Sequence, residues 1–364
     1  MILEPAKSPI RVLIVDDSAF MRAALSRIVA SDADLSVAAT AASGTEALQK
    51  IAAIHPDVIT LDVQMPGLDG LETLRRIMLQ FPCPVIMVSS TTLKDAEITF
   101  SALAAGAFDY VPKQLSSASL DILDIRDDLI AKIKAAAEAR RSKDRFLLPR
   151  KPPHAADSPV RQASHPSTEI VALGISTGGP SALEQILPAL PADLPVPILI
   201  VQHMPLGFTA FFAERLNNLC AVSVREASPR ETVRPGVVYI APAGFQMTVE
   251  HHRANSQTVI SLSDNSEKQL HAPSADVMMQ SVASAFHAHA MGIIMTGMGS
   301  DGAQGMSAIH RERGFTVGQD QTTCAVYGMP RVCAEMGILD RVVPLSQIPR
   351  EILQATHYRK ASVG

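Results

Sequence analysis

Three short turns carry the residue types in this chain best suited to covalent chemistry. Ser176 lies in Gly174-Ile175-Ser176-Thr177-Gly178-Gly179-Pro180, between the apolar run Ile170-Val171-Ala172-Leu173 and a stretch from Ala182 to Leu187 that reads as a helix. Glycine permits a tight turn and lets a substrate approach the backbone, so the context suits a nucleophilic hydroxyl. A bare loop or a phosphate-cradling turn would read the same way at this point. A Walker phosphate loop is disfavoured, because no Gly-Lys-Ser/Thr follows. His203 stands in Gln202-His203-Met204-Pro205, directly after the strand-like run Pro197-Ile198-Leu199-Ile200-Val201. Asp301 stands in Thr296-Gly297-Met298-Gly299-Ser300-Asp301-Gly302, after Gly292-Ile293-Ile294-Met295. Each turn leaves the C-terminal edge of a strand, so the three can face one cleft. Serine needs a base to be a useful nucleophile near neutral pH, and imidazole supplies it. A carboxylate behind the imidazole fixes its tautomer and stabilises the charge that forms on it. The backbone N–H of Thr177 is a natural oxyanion donor, reinforced by the N-terminus of the following helix.

Other readings compete at each position. Asp301 between glycines also reads as a helix cap. The chain has 11 histidines, most of which must be ordinary core or surface residues. His251 and His252 fall in an expected hairpin loop and read as solvated. His287 and His289 sit two apart on an expected helix and point different ways, which makes them poor co-ligands. Gly174, Ser176 and Gly178 satisfy G-x-S-x-G, but the order Ser, His, Asp differs from the Ser, Asp, His order of α/β-hydrolases, so that fold is not implied.

A second constellation lies near the N-terminus. Asp16 and Asp17 follow the run Arg11-Val12-Leu13-Ile14-Val15, Asp62 follows Val58-Ile59-Thr60-Leu61, Ser89 closes Pro84-Val85-Ile86-Met87-Val88, and Lys113 follows Phe108-Asp109-Tyr110-Val111-Pro112. Three converging carboxylates repel unless a cation joins them, and an all-oxygen set selects a hard ion, most naturally Mg²⁺. A carboxylate beside Mg²⁺ can attack a phosphoryl donor to give an aspartyl phosphate. The Ser89 hydroxyl and Lys113 ammonium would then bind the new phosphate oxygens. A single Asp after a strand is usually a cap or turn residue, whereas four strand ends carrying Asp-Asp, Asp, Ser and Lys are harder to dismiss.

The elements that position these residues alternate between strand and helix. Residues 10–128 read as five βα units, which implies a doubly wound parallel sheet with ligands at the carboxyl ends of its strands. The expected helices cover Phe20 to Ile28, 45–53, 70–79 and 96–105, the last capped by Gly106. Ile122, Ile125, Leu129, Ile130 and Ile133 keep helical spacing, so the last helix is expected to reach about Arg141. Residues 129–167 then form a connector. A basic cluster at 138–151 (six basic and two acidic side chains) reads as a solvated helix end, and Pro149, Pro152, Pro153, Pro159 and Pro166 mark a flexible linker. Residues 168–357 again read mainly as βα units in a parallel sheet, with a hairpin of 245–250 and 258–262 appended and a capped helix starting at Ser274.

Length and composition agree with two cytoplasmic domains. The 364 residues are 47% hydrophobic and 19% charged, so sizeable cores are possible. A net charge of -4, a pI near 6.3 and no tryptophan argue against nucleic acid as a partner. The cysteines (Cys83, Cys220, Cys324 and Cys333) form no C-x-x-C pair and suit a reducing compartment. No run approaches the ~18 apolar residues of a membrane span, so no membrane insertion is expected.

The first domain resembles the receiver domain of two-component response regulators over its full length. The resemblance rests on Val15-Asp16-Asp17-Ser18, on Leu61-Asp62-Val63-Gln64-Met65-Pro66-Gly67-Leu68-Asp69-Gly70, on Val88-Ser89-Ser90 and on Val111-Pro112-Lys113. It implies Asp62 as the phosphorylated residue. It further implies Asp16, Asp17, Asp62 and the Gln64 carbonyl around Mg²⁺, with Ser89, Tyr110 and Lys113 as the switch residues. Gln114 stands where receivers usually carry proline, the residue that makes a cis peptide common.

The second domain resembles the chemotaxis protein-glutamate methylesterase family across nearly its whole length. The three turns above carry that likeness, together with Leu206-Gly207-Phe208-Thr209, Val238-Tyr239-Ile240-Ala241-Pro242 and Pro273-Ser274-Ala275-Asp276. A receiver joined by a linker is also that family's arrangement. The resemblance implies a Rossmann-like α/β catalytic domain with Ser176 as nucleophile, His203 as base, Asp301 as its orienting acid, and the Thr177 and Met298 backbone at the oxyanion. It implies hydrolysis of glutamate methyl esters on chemoreceptors, with deamidation of specific glutamines, under control of a histidine kinase. An unphosphorylated receiver packed over the Ser176 cleft is its implied control device. No cofactor is expected at the esterase site, and a monomer is expected. Two departures are visible: Gln64 replaces a more usual Glu, and Ser228-Pro229-Arg230-Glu231 replaces an acidic-Gly turn. The rival reading is a response regulator whose output domain binds a protein without catalysis.

Overall fold

The computed structural model describes residues 8–89, 93–113, 121–146, 167–252, 257–264 and 269–358. Gln114 and the proline-rich stretch 149–166 lie outside these residues. The chain divides into two compact units, Met1–His154 and Ala155–Gly364.

In the first unit β1 (Ile10–Val15), β2 (Leu35–Ala41), β3 (Val58–Asp62), β4 (Val85–Ser89) and β5 (Asp109–Pro112) form one parallel sheet in the order β2-β1-β3-β4-β5. The inner strands β1, β3 and β4 are near-continuous apolar runs because helices bury both faces of the sheet. Those helices are α1 (Ala19–Ala30), α2 (Gly44–Ile54), α3 (Gly70–Gln80), α4 (Leu93–Ala104) and α5 (Asp121–Phe146). Side chains cap three of them: Ser18 accepts from the Met21 N–H, Ser43 from Glu46 and Asp69 from Glu72. Helix α5 buries Leu129, Ile133, Ala136 and Ala137 in the same core as Val12, Ile14 and Val111. It spans Asp121–Phe146, past the expected limit near Arg141. The apolar spacing marks only the face that is buried, and so underestimates the length of the helix.

The second unit is built on one sheet of seven parallel strands. Along the chain these are β6 (Ile170–Ile175), β7 (Ile198–Gln202), β8 (Ser223–Glu226), β9 (Val237–Ile240), then, after a separate hairpin, β12 (Ala290–Ile294), β13 (Phe315–Gln319) and β14 (Arg341–Val343). The hairpin is β10 (Phe245–His252) with β11 (Gln257–Asp264). Helices α6 (Gly179–Ile186), α7 (Phe208–Leu219), α8 (Ala275–Phe286), α9 (Ala303–Arg311), α10 (Met329–Glu335) and α11 (Ile348–Ala355) complete the unit. The core joins the sheet to α8, α9 and the hairpin through Leu199, Val201, Met247, Ile260, Met278 and Met306. Among the described residues no helix is long and apolar enough to cross a membrane.

Two expectations about histidines are corrected. His251 and His252 belong to β10, paired with Thr258 and Gln257, and are not loop residues. The ring of His251 meets the Thr258 hydroxyl at 3.0 Å and the Phe286 ring at 5.4 Å. The pair looked like a loop because two polar residues in a row break the alternation, yet the backbone ladder continues through them. His287 and His289 are not on one α-helix, since α8 stops at Phe286 and His287 takes φ +49° at the start of a 3₁₀ turn. Each instead meets a carboxylate, Glu312 at 2.8 Å and Glu169 at 3.3 Å.

Candidate active site

Strand order brings the three turns together. β6 lies between β12 and β7, with Gly174 opposite Ile294 and Ile175 opposite Gln202. In the sheet order β14-β13-β12-β6-β7-β9-β8 the chain passes from β6 to β7, on to the edge strand β8 and back to β9 on one side, then crosses to β12 on the other side of β6, so the crevice at the β6 edge is the topological switch point. Backbone bonds stitch the turns side by side. The Ser176 N–H donates to the Thr296 carbonyl at 2.9 Å, and the His203 N–H donates to the Ile175 carbonyl at 3.3 Å. The buried Gln202 amide donates to the carbonyls of both Ser176 (3.1 Å) and His203 (3.0 Å).

His203 and Asp301 form a direct pair, Nε2 to Oδ2 at 2.7 Å. An ionised carboxylate only accepts, so the proton resides on Nε2 and Nδ1 is the ring nitrogen left to receive one. This exchanges the roles that the two nitrogens usually play in a serine hydrolase triad. Among the described residues no hydrogen bond joins the Ser176 hydroxyl to His203. Hydrogen bonds of this kind are often long without substrate and tighten when it binds. The Ser176 side chain is half-buried. Among the described residues neither the Thr177 nor the Met298 N–H is taken by a hydrogen bond, while the Thr177 carbonyl accepts from the Thr296 hydroxyl at 2.9 Å.

Asp301 is held at the N-terminus of α8. Its Oδ2 accepts from the Ala275 N–H (2.7 Å), and its Oδ1 accepts from the Ser274 hydroxyl (2.7 Å) and the Asp276 N–H (3.1 Å). Burial pushes this carboxyl up, but His203, the Ser274 hydroxyl and the Ala275 N–H outweigh it and hold Asp301 below the usual carboxylate range. Asp276 in turn accepts from the Gly305 N–H at 2.8 Å, which fastens α8 to the helix following Asp301.

Three side chains here escaped sequence reasoning in part or whole. His271 stacks on His203 with ring centroids 4.2 Å apart and planes 15° off parallel. Nothing in its local sequence marks it. Ser274 was legible as a helix cap but not as a donor to Asp301. Gln202 could have been found as a polar residue closing an apolar strand run, the same signal that Gln319 carries at the end of β13, where its amide accepts from the Thr296 N–H at 2.9 Å.

Gly179 is required by this packing, because a Cβ there would lie 1.8 Å from the Gln202 amide oxygen. Gly179→Ala is therefore expected to push that amide off both turn carbonyls. The loss of stability should be about 1–3 kcal/mol in a chemical-denaturation experiment, with a larger fractional loss of hydrolase activity.

The first unit gathers its own site. Carboxylate oxygens of Asp16, Asp17 and Asp62 lie within 4.8 Å of one another at the ends of β1 and β3. Lys113 Nζ reaches Asp62 at 2.7 Å and Asp16 at 2.9 Å. Burial works against the Lys113 charge, but the two carboxylates outweigh it and raise the ammonium above its ordinary value. The Arg22 guanidinium holds the loop by donating to the carbonyls of Asp16 (2.8 Å) and Asp17 (2.9 Å). The Gln64 N–H donates to Asp62 at 3.3 Å. Gly70 lets α3 start against β3, since a Cβ would sit 2.1 Å from the Asp62 carbonyl. Ser89 is buried and accepts from the Thr99 hydroxyl at 2.9 Å. Tyr110 is buried, with Lys132 Nζ 5.5 Å from its ring centroid and bonded to its carbonyl at 2.7 Å. Three carboxylates with no nitrogen or sulfur donor among them suit a hard, oxygen-seeking divalent ion.

Comparison with known proteins covers both units. The family model described as CheB methylesterase matches residues 171–352, and that of the response regulator receiver domain matches residues 12–122. The protein-glutamate methylesterase/protein-glutamine glutaminase 2 of Nitratidesulfovibrio vulgaris is 43% identical over 96% of this chain and 100% of its own length. The protein-glutamate methylesterase/protein-glutamine glutaminase of Pyrococcus abyssi is 43% identical over 95% of this chain and 93% of its own. Among solved structures, the Thermotoga maritima CheB methylesterase catalytic domain superposes with a TM-score of 0.50 at 36% identity, covering 52% of this chain and 99% of that one.

Proposed function

The chain belongs to the protein-glutamate methylesterase/protein-glutamine glutaminase family, with a receiver domain ahead of a CheB methylesterase domain, and from that premise we propose that it hydrolyses glutamate methyl esters on chemoreceptors under phosphorylation control. The observation that carries this reading is the His203–Asp301 pair at 2.7 Å on strand-end turns adjoining that of Ser176. Ser176 Oγ attacks the γ-carbonyl of the esterified glutamate, and His203 Nδ1 takes its proton. The tetrahedral oxyanion is met by the N–H groups of Thr177 and Met298. Collapse breaks the ester C–O bond, and the imidazolium returns its proton to the leaving methoxide, releasing methanol. Water, deprotonated by His203, then cleaves the glutamyl-serine ester to give glutamate and free Ser176. The same steps with an amide leaving as ammonia would deamidate glutamine. A purely binding output domain does not account for a buried carboxylate held ionised against an imidazole.

In the first domain Asp62 accepts the phosphoryl group from a chemotaxis histidine kinase. Asp16, Asp17, Asp62 and the Gln64 carbonyl would hold Mg²⁺, which when bound neutralises charge on the transferring phosphoryl group. Lys113 and the Ser89 hydroxyl would bind the phosphate oxygens on Asp62, and Tyr110 would report the change. The protein works in this reading as a cytoplasmic monomer with methyl-accepting chemoreceptors as substrate.

The test is methanol release from methylated receptor membranes with and without Mg²⁺ and acetyl phosphate. Phosphodonor should raise the wild-type rate. In Asp62→Asn the ratio of stimulated to basal rate should fall to about 1, with the basal rate retained. Stimulation that survives in Asp62→Asn would refute Asp62 as the acceptor.

A further inference from the structure

The N-terminus of α8 does more than begin a helix. Ser274 and Asp301 are 5% and 8% exposed, so their 2.7 Å hydrogen bond is shielded from water. As a cap, Ser274 Oγ accepts from the Val277 N–H at 3.4 Å, a long bond; its proton goes to Asp301 on the shorter one. Ser274 is itself fixed from the hairpin. Its N–H donates to Gln246 Oε1 at 2.9 Å, and the Gln246 amide nitrogen donates to the His271 carbonyl at 2.7 Å. One buried glutamine on β10 thus sets both the residue that holds Asp301 and the residue whose ring stacks on His203. Among the described residues Asp301 has no Lys or Arg partner. Its charge is met by His203, two backbone N–H groups and the Ser274 hydroxyl. The other titratable groups facing this pair are the His271 ring and the Asp276 carboxylate, the latter turned to the Gly305 N–H.

Resting on the reading of Ser176, His203 and Asp301 as the catalytic set, we propose that Ser274 is a positioning residue of the hydrolysis, acting through Asp301. Its hydroxyl fixes the carboxylate plane toward His203 Nε2. It also draws charge from Oδ1, so that Asp301 keeps the imidazolium in place without taking its proton. Loss of the hydroxyl leaves a more basic and less oriented carboxylate. A more basic carboxylate binds the imidazolium more tightly, so the acid limb of the rate profile moves up. The rate should then fall at every pH through lost orientation, and fall further on the acid side.

The experiment measures methanol release by the full chain from methylated receptor membranes, with Mg²⁺ and acetyl phosphate, across a pH series. For Ser274→Ala the expected result is kcat lower by about 3–30-fold with KM within about twofold, and an acid limb of the kcat/KM profile moved up by about half a pH unit. Ser274→Thr restores both the rate and the limb. Ser274→Cys, which fills the same space with a weak donor, follows the alanine variant and decides the matter if alanine fails to fold. Unchanged rates overturn the proposal. So does a rate loss without movement of the acid limb, which would make Ser274 a helix cap and nothing more. A Ser176→Ala control separates the two levels: if it releases methanol at the wild-type rate, the catalytic reading falls and the role of Ser274 falls with it; if it is inactive while Ser274→Ala keeps the wild-type profile, only the role of Ser274 is overturned.

Discussion

Replacing Ser176 by alanine should lower methanol release by on the order of 10⁴-fold or more while leaving the protein folded. The side chain is half-buried on a turn whose conformation is held by its backbone, through the bonds from its N–H to Thr296 and from the Gln202 amide to its carbonyl. Removing one oxygen disturbs neither bond, so the melting temperature should hardly move. Activity loss and stability are therefore uncoupled at this position. A Ser176→Ala protein that retains substantial methanol release at saturating substrate would mean that the nucleophile is water or another side chain, and the acyl-enzyme route would be wrong. A burst of methanol in wild-type protein, stoichiometric with enzyme and absent from the variant, would report the glutamyl-serine intermediate directly.

Asp301→Asn should cost about 10³–10⁴-fold in kcat, for a reason that the ring geometry makes explicit. The carboxylate compels His203 to carry its proton on Nε2, which leaves Nδ1 to act as base. An asparagine can present its NH₂ group to Nε2 instead. That stabilises the opposite tautomer, in which Nδ1 is already protonated and cannot take a proton from Ser176. Here stability should change as well, and with a defined pH dependence. Asp301 has a folded-state pKa below its unfolded one, because His203, Ser274 and Ala275 favour the charged form more than burial penalises it. A group of this kind contributes stability above the unfolded carboxylate pKa of about 3.9, and that contribution disappears as pH falls through the lower folded value. The stability gap between wild type and Asp301→Asn should therefore be full at pH 5–8 and shrink on acidification below about pH 4. Denaturation curves at a series of pH values test this. A gap that is constant down to strong acid would mean that Asp301 is not held ionised by its neighbours.

Much of this chain is legible because its chemistry is written at strand ends. A strand buried on both faces must be a continuous apolar run, so the first polar residue after it is conspicuous. Asp16, Asp62, Ser89 and Ser176 stand out that way, with His203 one residue further on after Gln202, and the structure places each at the carboxyl edge of its sheet. The element types follow from the same periodicity, including the appended hairpin. Its extent was less clear, since His251 and His252 pair through the backbone, where side-chain polarity carries no signal. β13 and β14 are not marked by the sequence either: Thr316 and Gly318 interrupt the apolar run of Phe315–Gln319, and β14 is only 3 residues long at the sheet edge.

By itself, then, the amino-acid order determined two parallel α/β units and the set of residues able to do chemistry at their strand ends. Tertiary structure alone decided the neighbour order β12-β6-β7, without which Ser176, His203 and Asp301 would share a fold but not a cleft. It also decided which imidazole nitrogen faces the carboxylate, and that a helix start 26 residues before Asp301, at Ala275, supplies the donors that keep it ionised. The physical reason is that strand order and hydrogen-bond partnership are contacts between distant segments. Local periodicity reports how each segment is buried, and not which segment it is buried against.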